Sequence, residues 1–88
     1  NMSQLDKKLK NLIMESSYMN LTEEDIRDSS DLIADFGFDS VSIMKFVVDI
    51  ENTFEIQMED DELVFHIIAH YGNLKNCIEQ KLIAKESR

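Results

Sequence analysis

Apolar residues recur at helical spacing near the start of the chain. One stripe with the i, i+4, i+7, i+8 spacing of a helix is formed by Leu5, Leu9, Leu12 and Ile13. The sequence has no proline and only two glycines, Gly37 and Gly72, so turns between strands have little support. The pattern predicts a first helix over residues 3–17 within an all-α fold.

A polar connecting segment follows over residues 18–39 and is rich in Asp, Ser and Thr. Its apolar positions are Leu21, Ile26, Leu32, Ile33 and Phe36. We expect these side chains to pin the segment onto the core. A connection of this length inside a small domain is usually functional.

The strongest helical pattern runs from Asp39 through Phe54. On a helical wheel with Ser40 at zero, a core stripe falls between roughly 240° and 340°. The core stripe consists of Ile43, Phe46, Val47, Ile50 and Phe54. A second group, the apolar strip, falls between roughly 40° and 100° and consists of Val41, Met44 and Val48. The strip is either a protein-contact site, or it packs under the connecting segment or simply lies on the surface.

Two shorter helices are predicted in the last third of the chain. The third begins in the acidic cluster Glu59–Glu62, where carboxylates suit a helix N-terminus, and continues through Ile68. We expect Gly72 to end it as a C-terminal cap and Asn73 to cap the last helix. The apolar residues of that last helix are Leu74, Cys77, Ile78 and Leu82. The sum is a four-helix bundle with a long loop between helices 1 and 2 and a short third helix.

The length fits a single domain over residues 2–88, and we interpret Asn1, which precedes Met2, as a vector remnant. The sequence shows no signal-peptide pattern and no apolar run long enough for a membrane span, so the predicted location is the cytoplasm. Cys77 has no second cysteine with which to pair, and we expect it to be a small buried apolar residue.

The net charge of −9 is unevenly distributed. Residues 23–62, the acidic segment, carry fourteen acidic and two basic side chains, a net charge of −12. Such a field repels nucleic acid and anionic membranes and attracts proteins with basic patches. We therefore expect the partner to be a protein, and we expect neither nucleic acid binding nor membrane insertion. We also expect a monomer.

Ser40 stands where the second helix begins. Either Asp39 or Ser40 can accept a hydrogen bond as the N-cap, and the helix start also favours a bound or attached phosphate. Catalytic serines need a positioned base, and the histidines, His66 and His70, lie more than twenty residues away. The sequence offers no convincing pair of base and nucleophile, so we predict that the protein is not an enzyme.

No metal site is predicted. Calcium loops starting at Asp28 or Asp31 lack the required Gly at the sixth position and Glu at the twelfth. His66 and His70 have i, i+4 spacing on the predicted third helix, but Ile67 stands where the zinc signature H-E-x-x-H needs Glu.

The order of several motifs resembles acyl carrier proteins over the whole domain. These motifs are Asp31-Leu32, Gly37-Phe38-Asp39-Ser40-Val41, Ile50-Glu51, Phe54-Glu55-Ile56 and the acids from Glu59 to Glu62. The resemblance implies that a phosphopantetheinyl transferase moves 4′-phosphopantetheine from coenzyme A onto Ser40. Asp39 would be a cap and a contact to that transferase. The thiol of the attached arm would carry acyl or aminoacyl groups as thioesters between enzymes.

The resemblance also implies roles for the second helix. Acyl-loading, elongating or acyl-transfer enzymes with basic patches would dock on it, and such contacts give fast, reversible encounters. The expected docking residues are Val41, Met44, Val48, Asp35, Asp49 and Glu51. The core stripe residues Phe46, Ile50 and Phe54 would line a cleft that shelters the acyl chain, or would be plain core. The third helix would act as the gate.

Three positions near Ser40 depart from the pattern of fatty acid biosynthesis carriers. Ser42 stands where those carriers commonly have an acid, Lys45 where they commonly have Glu, and Val41 where they usually have Leu. A partner that reads those acids would meet a weakened or repulsive contact. We therefore expect a specialised pathway: polyketide, nonribosomal peptide or a D-alanyl-type surface modification. The alternative is an acidic helical adaptor that is not a carrier, in which Ser40 is only an N-cap.

Overall fold

The computed structural model describes residues 2–87, so Asn1, read above as a vector remnant, and Arg88 lie outside the described residues. The described chain is all-α with four helices, as predicted. They are α1 (Met2–Ser16), α2 (Ser40–Phe54), α3 (Phe65–Ile68) and α4 (Tyr71–Glu86). Single 3₁₀ turns occur at Glu23–Asp25 and Asp60–Glu62. None of the helices in this part of the chain combines the length and apolar character needed to cross a membrane.

One apolar core joins the four helices and the connecting segment. The core stripe of α2 is buried along its whole length, as predicted. The predicted anchors Ile26, Leu32 and Phe36 are also buried, while Leu21 and Ile33 are partly buried against the core. The connecting segment is therefore packed as predicted, although the sequence did not show its 3₁₀ turn at Glu23–Asp25.

The connecting segment is tied to the junction between α3 and α4 by backbone hydrogen bonds. Leu32 N–H donates to the Ala69 carbonyl at 2.8 Å, and Tyr71 N–H donates to the Ser30 carbonyl at 2.9 Å. Between them, Asp31 and His70 form an isolated antiparallel bridge. These contacts fix the segment that leads to the start of α2.

The third helix is shorter than predicted because the predicted element is broken in two. The Glu59 N–H donates to the Glu62 carboxylate at 2.7 Å, which closes a single 3₁₀ turn. Leu63 ends that turn, and Val64 then has extended dihedrals, with φ −118° and ψ 148°. Only four residues of α3 follow. The acidic cluster therefore starts a turn and not the helix itself.

Gly72 does not end the third helix, and Asn73 does not cap the fourth. Helix α4 begins at Tyr71, and its N-cap is His70, whose Nδ1 accepts a hydrogen bond from the Asn73 N–H at 3.1 Å. Gly72 lies inside the first turn because the chain passes close to the connecting segment there. A Cβ at this position would lie 2.8 Å from the Asp28 carbonyl oxygen.

A polar network joins α1, α4 and the connecting segment around the buried Tyr71. Its hydroxyl donates to the Asp6 carboxylate, and the Lys75 amine donates to Asp6 at 3.1 Å and to Asp28 at 2.8 Å. Burial raises the pKa of Tyr71, and its hydrogen bond to Asp6 raises it further. Burial alone would raise the pKa of Asp6, but hydrogen bonds from Tyr71 and Lys75 outweigh it and lower that pKa.

Candidate functional site

The start of α2 is held by a reciprocal pair of hydrogen bonds between Asp39 and Ser42. The Asp39 carboxylate accepts from the Ser42 N–H at 2.8 Å, and the Ser42 hydroxyl accepts from the Asp39 N–H at 2.8 Å. The Ser42 N–H lowers the pKa of Asp39 because the bond stabilises the carboxylate. Asp39 is therefore the N-cap, one of the two residues predicted for that role.

Ser40 is the first residue of α2 and not its cap, so the prediction of a Ser40 N-cap is wrong. Its side chain is exposed, and no hydrogen bond within residues 2–87 involves its hydroxyl. The Asp39 carboxylate already accepts the hydrogen bond from the Ser42 N–H, so the Ser40 hydroxyl is not needed as a cap. The hydroxyl is therefore open to chemistry at the positive end of a 15-residue helix.

The backbone leading to Ser40 is anchored by Phe38. Its ring is buried and packs edge-to-face on Phe46 of the core stripe, with centroids 5.6 Å apart, and its N–H donates to the Leu32 carbonyl at 3.0 Å. Gly37 precedes it with φ +76°, a conformation that glycine adopts without strain. The sequence analysis did not identify Phe38 as core, because it lies in an irregular segment without periodicity.

The apolar strip of α2 faces solvent. Val41, Met44 and Val48 are 76%, 54% and 51% exposed. The interpretation that the strip packs under the connecting segment is therefore wrong. The strip starts one residue after Ser40 and extends two turns along the helix.

The acidic residues predicted for docking are already engaged within the protein. Asp49 accepts a salt bridge from Lys45 at 2.9 Å, and the Glu51 carboxylate accepts from the Met58 N–H at 2.9 Å. Asp35 is exposed, and its carboxylate accepts from the Asp31 N–H at 2.8 Å. The structure places Asp49 near the strip on α2 and Glu51 against the loop after it.

The residues predicted to line an acyl cleft, Phe46, Ile50 and Phe54, are buried in the continuous core. Phe54 borders a small depression of about 230 Å³ between α1 and the end of α2. A larger open depression of about 790 Å³ lies between the end of α2, the following loop and α4. Neither depression is lined by Phe46 or Ile50.

The remaining reactive groups lie apart from Ser40. Burial and the neighbouring Glu62 carboxylate raise the pKa of Cys77 to about 11, so the residue is a thiol at neutral pH. His66 belongs to α3 whereas His70 caps α4, so the two do not share one helix as predicted. Within residues 2–87, no three His, Cys, Asp or Glu side chains group as metal ligands would.

Comparison with known proteins agrees with this arrangement. The family model described as the phosphopantetheine attachment site matches residues 7–78, which include α2 and the segments on both sides of it. The chain is also 31% identical to the acyl carrier protein of Thermotoga maritima over 75 residues, which are 85% of this chain and 88% of that protein. The chain therefore belongs to the acyl carrier protein family, whose attachment domain holds 4′-phosphopantetheine covalently.

Proposed function

We propose that Ser40 is the residue that carries 4′-phosphopantetheine. The observation that supports this is the position of its hydroxyl: exposed, without a hydrogen-bond partner in the described chain, and on the first residue of a long helix. A phosphodiester attached there would lie at the positive end of the helix dipole, next to first-turn N–H groups. The residues present therefore fit the group.

In the attachment step, the Ser40 oxygen loses its proton and forms a bond to the phosphorus of the pantetheine phosphate of coenzyme A. The bond between that phosphorus and adenosine 3′,5′-bisphosphate breaks, and the bisphosphate leaves. The phosphopantetheinyl transferase supplies the base and the metal, which explains why Ser40 needs no histidine. Once attached, the group supplies a terminal thiol that holds acyl or aminoacyl groups as thioesters. The protein is then a carrier on which enzymes act and is not itself an enzyme.

Partner enzymes would dock beside the attachment point. Acyl carrier proteins work with a phosphopantetheinyl transferase and with acyl-handling enzymes. We propose that these partners, which load, elongate or transfer the acyl group, contact the apolar strip. Asp35, Asp49 and Glu51 would contribute negative charge to the approach. The carrier would work as a monomer in the cytoplasm.

The buried face of α2 would be the place where an acyl chain is sheltered. Phe46, Ile50 and Phe54 would move apart to admit it, and the four-residue α3 would shift as the gate. An apolar core admits such a chain only if side chains change rotamer, because protein interiors are close-packed. Plain core packing remains the alternative for these three residues.

The pathway served would be a specialised one. Ser42 has its hydroxyl committed to the cap of α2, and Lys45 presents a positive charge one turn after Ser40. Both residues replace the acids that fatty acid biosynthesis carriers commonly offer. A polyketide, nonribosomal peptide or D-alanyl-type surface modification pathway fits this surface better.

Intact-mass analysis tests the proposal. The apo protein is incubated with coenzyme A and a promiscuous phosphopantetheinyl transferase, and it should gain one phosphopantetheinyl group. Ser40→Ala should abolish the gain, while Ser29→Ala, at an exposed serine of the connecting segment, should leave it unchanged. A non-carrier adaptor would gain nothing in any variant.

A further inference from the structure

We propose that the partner which docks on the apolar strip presents a carboxylate to Lys45. This inference rests on the proposed function and adds the chemistry of the partner surface. Lys45 is one of only two basic residues in the acidic segment. It is therefore a positive charge within a mostly negative segment, and its neighbours decide which groups it can bind.

Lys45 borders the apolar strip. On the wheel with Ser40 at zero, the strip ends at roughly 100° with Val41, and Lys45 follows at roughly 140°. Lys45 lies four residues after Val41 and three before Val48, the spacings at which side chains on a helix surface are neighbours. A protein that covers the strip will also cover Lys45.

The two acidic side chains of α2 each have a partner within the protein. Asp49 is the salt-bridge partner of Lys45, and the Glu51 carboxylate holds the Met58 N–H. Asp39, before the helix, is bonded to Ser42. Helix α2 carries a net charge of −1, so most of the −12 of the acidic segment lies in the loops on either side of α2, where it steers an approaching partner.

The Lys45 amine is the charged group that remains available. Its side chain is 73% exposed even in the salt bridge, and one partner uses only part of its three-donor capacity. Exposed i, i+4 pairs of this kind are weak, so a carboxylate on a partner can share or replace Asp49. If the partner surface were basic, its positive charges would face Lys45 and repel it. The surface that fits is an apolar recess edged by Asp or Glu.

Two substitutions on one salt bridge separate this inference from docking on a basic patch. Lys45→Glu should harm a partner that offers a carboxylate and help one that offers Lys or Arg. Asp49→Asn should have the opposite effects. It frees Lys45 to bind a partner's carboxylate, and it removes an acid to which a basic partner would bind. Lys7→Glu on the exposed surface of α1 is the matched control for a change of two charge units.

The probe is the enzyme that loads the holo protein, purified from the source organism by that transfer activity. We expect Lys45→Glu to lower kcat/KM about tenfold, mainly through KM, and Asp49→Asn to raise it, because the freed Lys45 amine can bind the partner's carboxylate. Lys7→Glu should change it less than about twofold. An increase with Lys45→Glu, or a loss with both substitutions on α2, would overturn the inference. Failure of the wild-type protein to accept phosphopantetheine on Ser40 would instead overturn the proposed function, since that step precedes loading.

Discussion

The backbone N–H of Gly72 donates to the carbonyl oxygen of Asp28 at 2.9 Å, which brings the first turn of α4 against the connecting segment. A Cβ on Gly72 would approach that same oxygen to 2.8 Å, well inside van der Waals contact. A side chain at position 72 would therefore force the two backbones apart.

Gly72→Ala should destabilise the protein by about 1–3 kcal/mol, because the obstacle is backbone and cannot rotate away. This outcome is opposite to the usual gain from replacing glycine in a helix, which is about 1 kcal/mol. Urea denaturation measures the difference. Asn76→Ala, at an exposed position of α4, is the control and should be neutral or stabilising. Equal stabilisation by both would refute the close contact.

Asp39→Ala should lower the midpoint of chemical denaturation, since the first turn of α2 loses its side-chain acceptor. Asp39→Asn keeps an oxygen for the Ser42 N–H and should retain most of the stability. Chemical denaturation of the apo variants gives both values. A loss with Asn as large as with Ala would mean that the charge and not the cap matters.

Phe38→Ala should destabilise the protein by about 3–5 kcal/mol, because it empties a buried site and removes the edge-to-face contact with Phe46. Phe38→Leu keeps most of the apolar volume and should cost less. Thermal unfolding followed by circular dichroism compares them. Val41→Ala, on the exposed strip, is the matched apolar truncation and should have little effect.

The Asp6 network should make stability depend on pH in the acid range. The pKa of Asp6 in the folded protein lies below its ordinary value of 3.8, so the stability that its ionised form contributes is fully present above pH 3.8. The contribution is lost as the pH falls through the folded pKa. Asp6→Asn should lower stability at pH 7 by about 1–2 kcal/mol, since hydrogen bonds to a charged group are lost. The gap between wild type and variant should narrow with acidification, and a gap that stays constant would contradict the network.

Cys77 should react slowly with alkylating reagents in the folded apo protein. Its pKa of about 11 compares with an ordinary value of 9.0, so at pH 8 the thiolate fraction falls on the order of 100-fold. Iodoacetamide labelling at pH 8 in buffer and in urea measures this. Fast labelling of the folded protein would contradict the raised pKa of this partly buried thiol.

The sequence was most informative where periodicity was strong. The core stripe of α2 repeats over about three turns, and all five of its residues are buried. Phe38 was missed because neither a helical nor a strand period includes it. Gly72 was misassigned because a glycine near the end of a helical pattern serves either as a cap or as a point of close approach. The two roles can be told apart only once the position of the Asp28 carbonyl is known.

The candidate site was predictable in its position and less so in its contacts. The motif around Ser40 located the start of α2, but the sequence analysis did not predict the salt bridge between Lys45 and Asp49, although their spacing is i, i+4. The bond from the Met58 N–H to Glu51 was not predictable, since it depends on how the loop after α2 folds back. The count of acidic residues alone therefore did not show which carboxylates of α2 already have partners within the protein.

The pairing of the connecting segment with the junction between α3 and α4 has a consequence for the order of events during synthesis. The hydrogen-bonded residues are about forty positions apart in the chain. The segment must therefore wait for most of the polypeptide to emerge from the ribosome before the approach to Ser40 is fixed. We expect the nascent chain to be a poor substrate for the transferase, because the start of α2 holds Ser40 in its final position only after the domain has folded.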